Sequence, residues 1–187
     1  MKVDPIRSQE KIKSIKDILK GQEKYRDLLW FTIGLNTALR ISDILDLKVK
    51  DVRAEDGSYR ESFQIMEQKT NKSGKHYLNQ SIKEALDLFF EHNPSKEQDD
   101  YIFTTYSGRL TRTRCHQIIK DLADKVGLEG NYSTHSMRKS YGYHNYREGI
   151  SLDLLQSKFN HKSSSQTLEY IGITDDDLQK ASKSINL

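Results

Sequence analysis

A single cysteine, Cys115, is all the thiol chemistry in this 187-residue chain. It can form no internal disulfide and anchor no multi-cysteine zinc site, so a reducing, cytoplasmic location is expected. No His-Glu-x-x-His occurs, and His76, His92, His116 and His144 fall at no metal-ligand spacing. No metal is therefore expected. Long apolar runs are missing too. The longest, Leu28 to Leu35, is broken by Thr32 and is far too short to cross a bilayer, so no membrane partner is expected. The first residues lack the basic start, apolar stretch and small-residue cleavage site of a signal peptide. Two prolines and ten glycines leave no Pro/Gly-rich linker, and there is no internal repeat or low-complexity tract.

Net charge is also scarce, at +3, although 30% of the residues are charged. So small an excess favours nucleic acid over protein as a partner only slightly. Its distribution says more: Lys69, Lys72 and Lys75 crowd one segment and Arg109, Arg112 and Arg114 another, while Asp99, Asp100 and Asp175 to Asp177 lie elsewhere. A solvated face is the plain reading of such runs until motifs say otherwise.

Apolar spacing predicts a mainly α chain with a small antiparallel sheet, an α+β fold. Ile12, Ile15 and Leu19 repeat at helical spacing behind Ser8, with Gly21 as a stop. A helix from about Gln22 to Leu39, apolar on every side, should be central. A short one fits Ser42 to Leu47, with Ser42 as N-cap. Between Ser62 and Lys69 the pattern alternates as in a strand, Thr70 to Gly74 reads as a turn, and His76 to Asn79 as the returning strand. Stripes from Ile82 to Phe89 and from Cys115 to Val126 predict two more helices, with a short edge strand at Tyr101 to Thr104 between them. Helices are also expected over His135 to Arg147, Leu152 to Phe159 and Asp175 to Ser184. One domain, residues 1–187, is the economical reading.

Five separated segments carry chemistry: Thr37-Ala38-Leu39-Arg40-Ile41-Ser42-Asp43, Gln68-Lys69-Thr70, His135-Ser136-Met137-Arg138, Asn160-His161 and Leu168-Glu169-Tyr170, the tyrosine nine residues beyond His161. Spacing of three puts His135 and Arg138 on one helix face. In this order the segments resemble the boxes of the tyrosine recombinase (phage integrase) family: an Ala/Gly-Leu-Arg-Ile-Ser-Glu-like box, a hairpin lysine, His-x-x-Arg, a Gly-His-like pair, and a tyrosine downstream. No single box is specific, but the ordered set spans most of the chain. It departs from the family pattern at Asp43, often Glu, at Asn160, usually Gly, and at Phe159, usually Leu.

The resemblance implies site-specific cleavage and rejoining of double-stranded DNA through a 3′-phosphotyrosyl intermediate, for integration, excision or inversion, with no metal or nucleotide cofactor. It implies Tyr170 as nucleophile, Arg40 and Arg138 as phosphate clamp, His135 as base or orienting group, Lys69 as acid and His161 as a further donor to the phosphate. The residue types suit the task. Guanidinium stays charged and donates paired hydrogen bonds to phosphate, and fixed cations stabilise charge developing on a phosphodiester. A phenol needs help in losing its proton at neutral pH, and a departing 5′ oxygen needs one supplied.

Alternatives remain open from the residues alone. Ile41 to Val49 also reads as half a helix-turn-helix, His135 as a cap or core histidine, and Lys72 and Lys75 compete with Lys69. Type IB topoisomerase-like relaxation and a non-catalytic DNA-binding regulator share the same signature. Most members of the resembled family carry a separate N-terminal DNA-gripping domain. This chain starts close to the catalytic segments, so either a shortened form or a single-domain recombinase is expected. The resemblance further implies assembly as a tetramer on paired sites, a tail helix over about 174–187 docking between protomers through Leu178, Ala181 and Ile185, and room for accessory DNA-bending proteins.

Overall fold

The structure, a computed structural model, describes residues 2–66, 73–174 and 177. The chain is mainly helical with two small antiparallel pairs of strands, an α+β fold as its apolar spacing predicts. Helix α1 (Gln9–Gly21) starts where Ser8 Oγ accepts from the Lys11 amide, satisfying one of the amides a helix start leaves over. Helix α2 (Tyr25–Thr37) is buried on all sides, with Leu28 to Ile33 wholly inside, and packs against α1, α5 (Gln80–Glu91) and α7 (Thr134–Arg147). It is shorter than its periodicity suggests at both ends. Ala38, at φ +60°, turns the chain left-handed and stops it.

Arg40, not Ser42, is the N-cap residue of α3 (Ile41–Leu45), and it makes no side-chain cap bond. Ser42 Oγ lies instead 3.5 Å from Asp43 Oδ1. After the single turn α4 (Val49–Val52), strands β1 (Ser62–Met66) and β2 (Ser73–Tyr77) pair in a register of Ser62 with Tyr77 and Met66 with Ser73. The returning strand thus begins three residues earlier than expected. Gly74 carries no apolar signal, and Phe63, buried and stacked on His76, sets the register. A second pair, β3 (Thr104–Thr105) and β4 (Gly108–Arg109), replaces the edge strand expected at Tyr101, which instead forms an isolated bridge with Lys48. Lys69 and the tail stripe Leu178, Ala181 and Ile185 lie outside the described residues.

Helices α6 (Arg112–Lys125), α7 and α8 (Leu152–Phe159) begin at Thr111, Ser133 and Ser151, each accepting an amide of its own first turn. Helix α9 (Ser164–Ile171), like α4, is not anticipated from the spacing; it is capped by Ser163 and carries Tyr170. Its polar opening, Ser164-Ser165-Gln166, hides the helical spacing of Thr167 and Ile171, its two buried residues.

Among the described residues, two clusters form the interior. The larger holds Trp30, Phe31, Phe89 and Phe103; the smaller holds Ala38, Leu155, Phe159 and Ile171, with Tyr170 packed against it. Gly142 on α7 is where the smaller cluster closes. A Cβ there would stand 2.5 Å from Ile171 Cγ2 and 2.7 Å from the Phe159 ring. Alanine gains up to about 1 kcal/mol over glycine in a helix, but overpacking a core costs about 1–3 kcal/mol, so the clash should win. Gly142→Ala is therefore expected to lower the urea midpoint. Gly21→Ala, with no heavy atom within 4 Å of the added carbon, should leave it unchanged or raise it. Equal responses from the two variants would show that α8 and α9 do not close on Gly142.

Candidate functional site

Two helices end facing the second turn of α7, and Arg138 joins their ends. Its guanidinium donates to the carbonyl of Ala38, past the end of α2, and to that of Phe159, the last residue of α8, at 3.5 Å. Helix ends leave such carbonyls without intrahelical partners, and a planar, permanently charged fork can reach two at once. The side chain is buried and lies over the Phe159 ring at 5.0 Å. Arg138 thus stitches the turn carrying Arg40 to the corner carrying His161.

Arg40 leaves that turn in extended backbone, φ −74° and ψ 150°. The turn is fixed by the Thr37 hydroxyl, which donates to the Ile33 carbonyl and accepts from the Leu39 amide. The guanidinium pairs with Asp43 at 3.9 Å, where the carboxylate is buried and the arginine partly exposed. Asp43 therefore orients Arg40 from below and leaves its outer side toward solvent.

His161 follows a corner made by Asn160, which is left-handed at φ +56°. This conformation favours glycine and tolerates asparagine, which gives the departure at this position a backbone reason. The His161 ring stacks on Phe159 and meets Tyr170 edge-on, at centroid distances of 5.3 and 4.9 Å. Its Nδ1 lies 3.1 Å from Thr167 Oγ1, and the Thr167 hydroxyl is 3.2 Å from the Ser163 carbonyl. With the hydroxyl donating to that carbonyl, Nδ1–H is the donor to Thr167, and Nε2 is left as the second polar atom of the ring.

Tyr170 sits among these groups. Its ring touches Phe159 and His161, Lys139 Nζ lies 4.9 Å from its centroid, and its hydroxyl is hydrogen-bonded with Arg138. Burial holds the phenol above its ordinary value, while Arg138 and then Arg40 pull it down. At rest it is protonated.

Arg40, Arg138, His161 and Tyr170 are thus brought together. His135 is exposed in the first turn of α7, its amide given to Ser133 Oγ, and it shares a cleft of about 860 Å³ with Arg40, Ser42, Arg112 and His116. Although three residues apart, His135 and Arg138 differ sharply in exposure. His161 lines a second cleft of about 540 Å³, walled by Lys75 and His76 of β2 and Lys158 of α8. Lys158 Nζ is 3.3 Å from His76 Nδ1, tying the hairpin to α8. Lys75, weighed against Lys69 above, faces this cleft.

Three contributors escape a motif reading. Lys139 looks like a surface lysine yet is buried, its charge disfavoured first by burial and then by Lys2. Thr167 orients His161. Gly142, one turn beyond Arg138, admits the two helices that carry His161 and Tyr170. The signal available for Gly142 is its spacing of four from Arg138, which places both on one face.

His161 titrates below its ordinary value, because burial and then the Arg138 charge disfavour the imidazolium. The unfolded chain binds that proton more readily, so stability from this group is present above about pH 6.5 and is lost as pH falls toward the folded value. His161→Gln should flatten the dependence of the urea midpoint on pH in that window. An unchanged slope would assign it to other groups.

Among the described residues no group of three or more His, Cys, Asp or Glu side chains is placed to hold a metal ion, and no helix is long and apolar enough to cross a membrane.

The phage integrase family model matches residues 7–176. The probable integrase/recombinase YoeC of Bacillus subtilis is 38% identical over 183 residues, which cover 97% of this chain and 96% of YoeC. The tyrosine recombinase XerD of Oceanobacillus iheyensis is 27% identical over 178 residues, 92% of this chain but 59% of XerD, so the chain spans little more than half that relative. The XerH site-specific recombinase, solved in a post-cleavage complex with a palindromic difH substrate, shares the fold with a TM-score of 0.76 at 21% identity. That likeness covers 96% of this chain and 51% of XerH.

Proposed function

Since the chain belongs to the phage integrase family of tyrosine recombinases, we propose that it recombines double-stranded DNA site-specifically, with Tyr170 forming a 3′-phosphotyrosyl bond. The observation that carries this reading is the convergence of Arg138, Arg40 and His161 around one half-buried phenol.

The phenolic oxygen attacks the phosphorus, the bond to the 5′ oxygen breaks, and the energy of the phosphodiester is kept in the new ester. A 5′-hydroxyl from a second strand then reverses the step, so the exchange needs no external energy source. Arg138 gives N–H groups to Ala38 and Phe159, and its positive charge, with that of Arg40, stabilises the negative charge developing on the non-bridging oxygens. Both carbonyl bonds keep the guanidinium oriented before DNA arrives, which is what makes a cation effective in a transition state. His161 donates to the same phosphate when protonated, and an incoming anion favours that form. His135, on the open side beside Arg40, takes the phenolic proton or orders the water that does, and Lys69 protonates the leaving 5′ oxygen.

The reading is tested with a nicked suicide duplex, in which the short 5′-hydroxyl fragment diffuses away after cleavage. A protein–DNA species that survives denaturing electrophoresis and maps to Tyr170 is the expected product. Strand exchange between two synapsed duplexes, rather than relaxation of a single plasmid, is expected of a recombinase. Non-covalent binding alone would reduce the chain to a DNA-binding regulator.

A further inference from the structure

Residues 2–7 form an extended strap that crosses α7 and finishes against the far end of the helix carrying Tyr170. Ile6 anchors it: the side chain is buried, the amide donates to Ser140 Oγ at 2.7 Å, and the carbonyl lies 2.9 Å from His144 Nε2. From this anchor the strap meets α9 at two points. Lys2 Nζ pairs with Glu169 at 3.3 Å, and Arg7 Nη2 donates to the carbonyl of Gly172 at 2.5 Å.

Gly172 closes α9 at φ +81°, and Pro5 packs so near that a Cβ there would lie 3.0 Å from two of its ring carbons. On its other side Arg7 faces Asp177 at 3.8 Å, whose carboxylate accepts from the amide and hydroxyl of Thr174. Arg7 therefore grips the junction between the end of α9 and the chain that follows it.

We propose that Arg7 is a positioning residue for the nucleophile, holding the end of α9 so that the Tyr170 phenol stays in line for attack. This rests on Tyr170 being the nucleophile. The physical case is one of leverage. Helix α9 has only eight residues, too few to hold its shape unaided, and with Thr167 and Ile171 buried on its inner side the outer side of its last turn depends on contacts from elsewhere in the chain. Tyr170 lies in that turn, two residues before the carbonyl that Arg7 holds. A cation at a helix C-terminus is favourable, yet Arg7 is 44% exposed, and exposed ion pairs add little to global stability. Loss of the grip should thus appear in the chemical step rather than in folding, because misplacing a reacting atom by about 1 Å costs on the order of 10²-fold in rate.

The test uses the whole chain with Arg7→Met, which keeps an apolar stem but removes the donors and the guanidinium that lies 5.4 Å over the Tyr143 ring, and Arg7→Lys, which restores charge and a donor. Single-turnover adduct formation on the suicide duplex is measured at saturating DNA, alongside DNA affinity by fluorescence anisotropy and amide exchange of segment 168–174. Arg7→Met is expected to slow adduct formation by about 10- to 100-fold, with unchanged final amplitude and affinity, and with faster exchange in 168–174. Arg7→Lys should recover most of the rate.

A fall in amplitude at unchanged rate would make Arg7 merely structural. A change confined to affinity would make it a phosphate contact. Unchanged exchange in 168–174 would mean that Arg7 does not hold α9 at all. An adduct that survives Tyr170→Phe overturns the parent reading. With no adduct in Tyr170→Phe, an undiminished rate in Arg7→Met overturns the strap alone.

Discussion

Tyr170→Phe is expected to eliminate the covalent protein–DNA species while leaving DNA affinity and the thermal unfolding temperature nearly unchanged. The substitution removes one oxygen. The ring keeps its packing on Phe159, its edge contact with His161 and its place beneath Lys139, so the smaller cluster should hold its shape. The hydrogen bond lost to Arg138 is worth about 1 kcal/mol, and it is partly offset because a half-buried hydroxyl no longer has to be kept from water. No cationic contact to phosphate is touched, so binding survives. Denaturing electrophoresis and anisotropy on the same duplex separate the two effects. An adduct that persists and maps to Tyr141 or Tyr146 would move the nucleophile elsewhere.

Arg138→Ala should lose both activity and stability, and the pairing of the two losses is the diagnostic part. Removing a preorganised donor from a transition state costs roughly 10²–10³-fold in rate. The carbonyls of Ala38 and Phe159, which Arg138 now satisfies, would each lose a buried partner at about 1–3 kcal/mol. Arg138→Lys keeps the charge but places one ammonium where a fork spans two carbonyls, so it should recover little of either. Single-turnover cleavage and urea unfolding give the two numbers. Near-normal stability in Arg138→Ala would mean that the two helix ends are held by something other than the guanidinium.

The fold was most legible where one face of a helix is apolar and capped. Helix α8 begins and ends at Leu152 and Phe159, as its spacing predicts, and Ser8 opens α1. Legibility failed where tertiary contacts decide. Ser42 has the chemistry of a cap, but the left-handed Ala38 starts α3 at Ile41. The β2 register follows the burial of Phe63 against His76 rather than the apolar pattern of β2 itself. Helix α9 went unread because three polar residues open it and only Thr167 and Ile171 mark its inner side.

The candidate site residues rest on ordered motifs, whose spacing along the chain carries no information about depth. That His135 is exposed while Arg138 is buried, or that Lys139 lies over the Tyr170 ring, depends on how α7 is inserted between α2 and the α8–α9 corner. The strap of residues 2–7 has no periodicity to read, since a segment outside helix and strand shows neither a 2.0 nor a 3.6 repeat.

Because one guanidinium joins the ends of two helices, single replacements around it will not report independent contributions. Ala38, Arg138, Phe159 and Tyr170 share atoms or shells, and positions that share partners typically couple by about 0.5–3 kcal/mol. A double replacement there should cost less than its two single costs combined, because the first already dismantles what the second would remove. For a lineage drifting under selection, these positions form one heritable block: a change at any of them alters which changes at the others can be tolerated.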